Sequence, residues 1–318
     1  MIDSPSHTEH DVVVASKRAV ADGVVVLDLA AAHGGDLPAW RPGAHIDLVL
    51  PSGEERQYSL CGPLDDAEWR VAVLREDAGR GGSAFVHDGL VAGTPLRARG
   101  PLNHFEFQPG VPALFIAGGI GITPILPMIE AAEASGTPWR LVYAGRSLAS
   151  MAFAEDLERA HPGKVELWVS GVGMRLDLDE LLGQPVAGAA VYCCGPARLM
   201  DAVESAMGAW PHGSLRMERF APKDLGATVD VSFEVELALS GQTLAVPSDR
   251  SILDVAEEAG VLVLSSCREG TCGTCETVIL EGAADHRDSI LSEDEQAANR
   301  SMMICVSRSR GGKLVLEL

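Results

Sequence analysis

The 318-residue sequence is poor in basic and aromatic side chains. Its 45 acidic residues outnumber its 25 basic ones, which gives a formal net charge of −20, and aromatic residues make up only 5% of the chain. A negatively charged surface repels the phosphates of nucleic acids and of anionic membranes. The composition therefore argues against nucleic acid and membrane as partners.

The sequence also lacks the features of a secreted or membrane-spanning protein. Residues 1–11 are polar and acidic, without the cationic start and apolar core of a signal peptide. The uncharged stretch 111–129 is nearly long enough to span a bilayer, but Pro112, Pro124, Pro127 and several glycines favour a strand, a loop and a helix there. We expect a cytoplasmic protein.

Changes of pattern along the chain predict a multi-domain protein. Residues 1–108 carry short alternating apolar runs separated by Gly, Pro and Asp, which indicates an antiparallel β-barrel. Residues 109–222 alternate strand-like and helical stretches, a pattern typical of an α/β domain with a parallel sheet. Residues 223–229 are predicted to form a linker. Residues 230–318 contain two strand-like runs, a short helix that Ser251 is predicted to cap, and a cluster of cysteines.

Four of the seven cysteines lie in the last quarter of the chain, and we predict that they are metal ligands: Cys267, Cys272, Cys275 and Cys305. Their C-x4-C-x2-C spacing with a distant fourth cysteine is that of plant-type [2Fe–2S] ferredoxins. Gly270 and Gly273 let the loop turn sharply, so that its amides are free to point at the sulfurs. Structural zinc is the alternative, although zinc sites prefer paired cysteine knuckles.

Two glycine-rich loops have the composition of anion-binding sites. Gly79-Arg80-Gly81-Gly82-Ser83 precedes a predicted helix over 84–88, and Gly118-Gly119-Ile120-Gly121-Ile122-Thr123 follows a strand and opens a helix at Pro124. Glycine amides exposed at the start of a helix attract phosphate groups. Each loop alone also fits an ordinary turn. The second loop is not the G-x-G-x-x-G loop of Rossmann dehydrogenases.

Together these motifs resemble the phthalate dioxygenase reductase family, which includes vanillate O-demethylase reductases, over essentially the whole chain. The resemblance implies a β-grasp ferredoxin domain at the carboxyl end. It also implies an FMN site in the barrel, in which an arginine neutralises the flavin phosphate, an aromatic ring packs beside the flavin and a hydroxyl reaches its edge. The resemblance is the sole basis for predicting FMN instead of FAD as the flavin. The predicted FMN-binding residues are Arg56, Gln57, Tyr58, Ser59, Gly81, Gly82 and Ser83.

The same resemblance implies a site for NADH, with NADPH as an alternative. Arg146 and Ser147 are placed to reach the adenine ribose, where a basic residue favours a 2′-phosphate. Phe220 is expected against the flavin. Strand alternation should point Cys193 away from Cys194, into packing. The predicted nucleotide-binding residues are Gly118, Gly119, Gly121, Thr123, Arg146, Ser147, Cys194, Gly195 and Pro196, and the predicted catalytic residues are Ser59, Thr123, Cys194 and Glu218.

The predicted function is that of an NAD(P)H-dependent flavin iron–sulfur oxidoreductase. A hydride is expected to pass from nicotinamide C4 to flavin N5, and electrons are then expected to leave singly through the cluster. The sequence shows neither a 2-His-1-carboxylate cluster nor Rieske Cys/His pairs, so a partner oxygenase is expected to activate oxygen. The resemblance implies a Rieske-type partner, and the acidic residues 226–318 fit docking to a basic patch. The alternatives are a redox partner of a cytochrome P450 and a non-enzymatic metal-bound interaction protein.

Overall fold

The computed structural model describes residues 8–76, 79–173, 176–226 and 228–318. The chain divides into two compact units, Met1–Glu218 and Arg219–Leu318. The first unit contains a six-stranded antiparallel sheet and a five-stranded parallel sheet, and the second contains a five-stranded mixed sheet.

The antiparallel sheet closes into a barrel. Its elements are β1 Glu9–Ala21, β2 Val24–Ala31, β3 Ala44–Val49, β4 Glu55–Ser59, β5 Trp69–Leu74, helix α1 Gly82–Asp88 and β6 Pro95–Asn103. The strand order is β4-β3-β6-β1-β2-β5, and a bridge between Leu60 and Val71 joins the two edges. Alternate side chains along the strands fill the interior with Val, Leu and Ile around the buried Trp69. The predicted barrel is confirmed.

The parallel sheet has helices on both faces and therefore two apolar cores, one on each side. Its elements are β7 Ala113–Gly118, α2 Ile125–Ser135, β8 Trp139–Gly145, α3 Ala154–Ala160, β9 Val165–Val169, α4 Leu178–Leu182, β10 Ala190–Cys194, α5 Ala197–Ala206 and β11 Leu215–Glu218. In the strand order β11-β10-β7-β8-β9, the chain adds β8 and β9 on one side of β7 and then β10 and β11 on the other side. The position between β7 and β10 is therefore a topological switch point of the parallel sheet. Ligands of open α/β sheets bind at the carboxyl ends of the strands that flank such a switch point.

The second unit folds as the predicted β-grasp. Its elements are β12 Phe233–Leu237, β13 Gln242–Val246, α6 Ile252–Glu258, β14 Glu276–Glu281, β15 Ala284–Asp285, α7 Glu293–Ala298, β16 Ser301–Met303, β17 Arg308–Ser309 and β18 Lys313–Leu316. Strand β12 pairs in parallel with β18, and the sheet order is β13-β12-β18-β14-β16. Ser251 caps α6, because its Oγ accepts the Asp254 N–H at 3.0 Å while Asp254 accepts the Ser251 N–H at 3.2 Å.

The uncharged stretch 111–129 forms β7, a 3-10 turn and the start of α2, as its prolines and glycines predict. Helix α2 begins at Ile125, one residue after the predicted start. Among the residues that the structure describes, no helix combines the length and apolar character needed to cross a bilayer. The domain boundaries after residues 108 and 222 stay predictions. Ala227, in the predicted linker, lies outside the described residues.

Candidate functional site

Strand β4 and the glycine-rich loop that leads into α1 meet at one corner of the barrel. Gly82 packs directly on Arg56, and a Cβ at Gly82 would overlap the guanidinium group. Gly81 has a φ of 90°, a conformation that favours glycine. Arg56 is held by the Glu55 carbonyl, at 2.8 Å from Nη1, and by the Glu54 carboxylate, at 3.0 Å from Nη2. Two predicted flavin motifs therefore meet, and their glycine amides and guanidinium suit a phosphate.

Helix α1 is fixed to the barrel at both ends. Ser83 Oγ accepts the Glu76 N–H at 3.0 Å, which leaves the hydroxyl hydrogen available for a further acceptor. At the other end, Lys17 Nζ donates to the carbonyls of His87 and Leu90, the latter at 2.8 Å. A cation near the C-terminus of a helix also interacts favourably with the helix dipole. Sequence reasoning missed Lys17, since a single lysine in an alternating strand carries no signal.

The other side chains of the β4 motif differ in their partners. Gln57 Nε2 donates to Asp47 Oδ1 at 2.8 Å, within the barrel. Tyr58 packs against the barrel core, and burial raises the pKa of its hydroxyl to about 12. Within the described residues, the buried Tyr58 hydroxyl has no hydrogen-bond partner. Buried polar atoms are rarely unsatisfied, so this hydroxyl fits a bound group that supplies the missing partner.

The carboxyl ends of β4 and β11 meet through two predicted catalytic residues. Ser59 Oγ donates to Glu218 Oε2 at 3.3 Å across a sequence separation of 159. Burial raises the pKa of Glu218 to about 8, against the smaller lowering effect of the Ser59 hydrogen bond. The carboxyl group consequently holds a proton at neutral pH. This contact joins the barrel to the parallel sheet.

The loops that follow β7 and β10 interlock at the switch point of the sheet. A Cβ at Gly121 would overlap the Cys194 carbonyl, and one at Gly118 would stand 2.7 Å from Pro196 Cδ. The Gly118 Cα is only 3.0 Å from the Cβ position of Gly195. Glycine is therefore required on both sides of the contact. The structure brings these five predicted nucleotide residues together where a pyrophosphate approaches the backbone in α/β folds.

Two predicted catalytic residues of this sheet, Thr123 and Cys194, are buried. Thr123 Oγ1 donates to the Ile120 carbonyl at 2.9 Å and so closes the 3-10 turn of the glycine loop. Burial raises the pKa of the Cys194 thiol, and the nearby Glu218 carboxyl raises it further. A protonated thiol is a poor nucleophile, so Cys194 suits contact rather than covalent chemistry. Cys193 faces the opposite core, 3.5 Å from the Met200 sulfur, as strand alternation predicts.

Arg146 and Ser147 follow the carboxyl end of β8, the next strand of the sheet. The Arg146 side chain is exposed, while its carbonyl accepts the Gly171 N–H at 2.9 Å. Ser147 and Ser150 cap each other's backbone N–H groups at 3.3 Å, which fixes the short turn after Arg146.

Phe220 belongs to the second unit and is 47% exposed, and its place against the flavin stays a prediction.

The cysteine loop of the second unit directs backbone amides at a sulfur. Cys267 Sγ accepts the N–H groups of Glu269 at 3.3 Å and Thr271 at 3.4 Å. Positive φ angles at Arg268, 57°, and at Gly270, 72°, produce the turns that aim these amides. Hydrogen bonds of this kind stabilise thiolates and tune iron–sulfur clusters.

All four predicted ligand cysteines are buried and lie close to one another. Interaction with the neighbouring Cys272 and Cys305 side chains lowers the pKa of Cys267, and the pKa values of Cys272 and Cys305 rise in return. In the described ranges, no three His, Cys, Asp or Glu side chains converge as ligands of a single ion. The four neighbouring sulfurs and the inward-pointing amides fit a [2Fe–2S] cluster.

Comparisons with known proteins agree with this geometry. Residues 115–205 match an oxidoreductase NAD-binding domain, and residues 235–310 match a 2Fe–2S iron–sulfur cluster binding domain. The chain is 35% identical to the solved structure of phthalate dioxygenase reductase, with a TM-score of 0.71 and 98% of each chain covered. The chain belongs to the phthalate dioxygenase reductase family.

Members of the phthalate dioxygenase reductase family and proteins that contain a similar module occur among the other matches. Phenoxybenzoate dioxygenase subunit beta from Ectopseudomonas oleovorans is 42% identical over 301 residues, which cover 94% of each chain. An intact type IV self-sufficient cytochrome P450 monooxygenase is 40% identical, with a TM-score of 0.92; the match covers 98% of this chain and 41% of that longer one. The chain is thus an oxidoreductase with NAD-binding and [2Fe–2S] domains, and the three predicted fold types are confirmed.

Proposed function

We propose that this chain is the reductase component of an oxygenase system, which passes electrons from NADH through FMN and a [2Fe–2S] cluster to a separate terminal oxygenase. The Ser59–Glu218 contact carries the proposal, because it joins the end of the predicted flavin strand to the carboxyl edge of the nucleotide sheet. A hydride donor and acceptor must lie in contact, and this junction supports such an arrangement. The similar phthalate dioxygenase reductase is described as a modular structure for electron transfer from pyridine nucleotides to [2Fe–2S].

FMN is supported by the residues at the barrel corner. Bound FMN would accept two electrons from the nicotinamide and release them one at a time to the cluster. Arg56 and the loop at Gly81 and Gly82 suit its phosphate, and the buried Tyr58 hydroxyl is suited to a partner on the ligand. Arg56 would neutralise the phosphate, while Ser83 would donate its hydroxyl hydrogen to it.

The side chains at the junction would orient the reactants and control protons. Ser59 Oγ donates to Glu218 Oε2, and the raised pKa of Glu218 would let its carboxyl group hold a proton at neutral pH. Cys194 keeps its thiol protonated and lies on the sheet beside the glycine loop, where it would limit water at the nicotinamide face. Thr123 would act indirectly, by fixing the turn at Ile120.

A Rieske-type oxygenase is the proposed partner, since the matched phenoxybenzoate and phthalate proteins are named as components of dioxygenases. The excess of acidic residues in the second unit supports docking to a basic surface. A cytochrome P450 is the second candidate, because a similar module forms 41% of a self-sufficient P450. The proposal includes a cytoplasmic location, where the seven free thiols stay reduced for cluster assembly.

Substitution of one cluster ligand tests the electron order. In Cys272→Ser, anaerobic NADH should still bleach the flavin absorbance at a rate near that of the wild type, while reduction of cytochrome c should fall at least about tenfold. Stopped-flow absorbance and steady-state assays measure the two rates. Ser266→Ala, next to the loop but not a ligand, is the matched control.

If both rates fell together in Cys272→Ser, the cluster would not lie after the flavin and the proposed order would be wrong. Wild-type protein assembled anaerobically should also contain about two irons and two acid-labile sulfides per chain. Protein with zinc and no flavin would contradict the reductase and support the interaction protein.

A further inference from the structure

The hydroxyl of Tyr143 lies at a junction between two loops of the parallel sheet. Tyr143 is in β8 and is fully buried. Its single hydroxyl hydrogen is shared between the Gly119 carbonyl at 3.0 Å and the Ala152 carbonyl at 3.1 Å. Gly119 belongs to the glycine loop after β7, and Ala152 to the segment after β8 that begins with Arg146.

Each of these carbonyls sets the direction of the next amide. The C=O and N–H of a trans peptide lie in one plane and point in opposite directions. By holding the Gly119 carbonyl, Tyr143 therefore fixes the direction of the Ile120 N–H in the glycine loop. By holding the Ala152 carbonyl, it fixes the peptide that leads into Phe153 in the same way.

The segment after β8 is tightly constrained. Phe153 adopts a φ of 64°, which is rare and unfavourable for an aromatic residue. A Cβ at Gly145 would overlap Met151, so the segment folds back closely on the end of its strand. The Ala149 carbonyl accepts the Asp22 N–H of the barrel at 2.7 Å. The position of this segment is thus coupled to the barrel on one side and to Tyr143 on the other.

We propose that Tyr143 is a positioning residue for the dinucleotide, which holds the pyrophosphate loop at Gly119 and the adenosine-side loop from Arg146 at a fixed spacing. The inference rests on the proposed function, because it needs both loops to bind one nucleotide. A dinucleotide spans the two loops, and its affinity falls when their spacing is no longer pre-set. Tyr143 would act through backbone groups and would not touch the nucleotide.

Tyr192 provides the matched control. It is buried in β10 of the same sheet and packs in the same core as Tyr143. Its hydroxyl accepts the Gln108 N–H at 3.0 Å, away from both loops. Tyr143→Phe and Tyr192→Phe therefore each remove one buried hydroxyl from one core, but only the first releases the loops.

Binding of ADP-ribose to the holoprotein tests the role without catalysis. Calorimetry should show about fivefold weaker binding in Tyr143→Phe, the effect of one lost hydrogen bond, and unchanged binding in Tyr192→Phe. The KM for NADH should rise by the same factor, with kcat for ferricyanide reduction within about twofold of the wild type. Equal binding in wild type and Tyr143→Phe would overturn the inference, as would equal weakening in both variants.

Hydrogen exchange on the wild-type protein supplies a second measurement that does not depend on the variants folding. ADP-ribose should slow exchange in 119–121 and 147–153 together. Protection of one loop alone would overturn the inference. If the wild type bound neither ADP-ribose nor NADH, the proposed function itself would be wrong. This outcome differs from those that would overturn only the role of Tyr143.

Discussion

The loop of the predicted cluster ligands and the predicted flavin–nucleotide junction are built in opposite ways. Three of the four predicted ligand cysteines lie in one loop, and its own backbone turns at Arg268 and Gly270 aim amides at a sulfur. The junction is assembled from the ends of distant strands, with Ser59 and Glu218 separated by 159 positions. A local site depends on backbone geometry, whereas a dispersed site depends on how two sheets pack. Damage to one should therefore leave the other intact.

The largest expected effect is at the switch point of the parallel sheet. In Gly121→Ala the new Cβ would overlap the Cys194 carbonyl, which is backbone and cannot rotate away. Flavin reduction by NADH should fall by about a hundredfold or more, since a shift of about 1 Å at a reacting site has such a cost. Stopped-flow measurement should show this loss while iron content and dithionite reduction of the cluster stay normal. Gly208→Ala, where a Cβ meets open space, is the control, and loss of iron in Gly121→Ala would contradict the separation of the sites.

A substitution in the cysteine loop tests the opposite case, in which the predicted cluster site is damaged and flavin reduction should be unaffected. Gly270 has a φ of 72°, and a Cβ there would stand 2.7 Å from Val306 Cγ2. Gly270→Ala should lower iron and sulfide content to about half or less, because a strained loop no longer presents its thiols together. NADH should still reduce the flavin at the wild-type rate. Gly311→Ala, at an open position, serves as control, and slow flavin reduction in Gly270→Ala would show that the two sites are coupled.

The smallest effect concerns stability at the junction. The folded pKa of Glu218, about 8, exceeds its ordinary value of 4.5, so the folded state binds the proton more tightly than the unfolded state. The free energy of unfolding of the wild type should therefore fall as pH rises between these values. Glutamine does not titrate, and Glu218→Gln should gain up to about 4 kcal/mol relative to wild type from about pH 5 to about pH 8.5.

Thermal unfolding of both proteins across this pH range measures the gain. Glu258→Gln is the control, because the Arg250 ion pair lowers the pKa of Glu258 below 4.5. The contribution of Glu258 to the free energy of unfolding therefore changes little above about pH 5. A constant difference between Glu218→Gln and wild type would mean that Glu218 is ionised at neutral pH.

The sequence alone defines the predicted local site more fully than the predicted dispersed one, for a physical reason. The spacing of Cys267, Cys272 and Cys275 determines how one short loop presents its thiols, so residue types and intervals suffice. Contacts such as Ser59 with Glu218 depend on packing between two sheets, which no short pattern encodes. Those residues were identified only through resemblance to a family.

Supporting residues were the hardest to predict. Lys17 and Tyr143 act on backbone carbonyls of other elements, and each looks like an ordinary strand residue in the sequence. By contrast, the barrel, the parallel sheet and the Ser251 cap followed from periodicity and capping patterns. Helix starts shifted by one or two residues, since α1 begins at the glycine turn itself.

The position of β11 has a consequence for dividing the protein. This strand lies at the edge of its sheet, and Glu218 is both its last residue and the last residue of the first compact unit. A cut at the peptide bond after Glu218 leaves every strand of that unit whole, but a cut four residues earlier deletes an edge strand and the acid at its tip. An excised first unit therefore has to end at or beyond Glu218 to keep its acidic group.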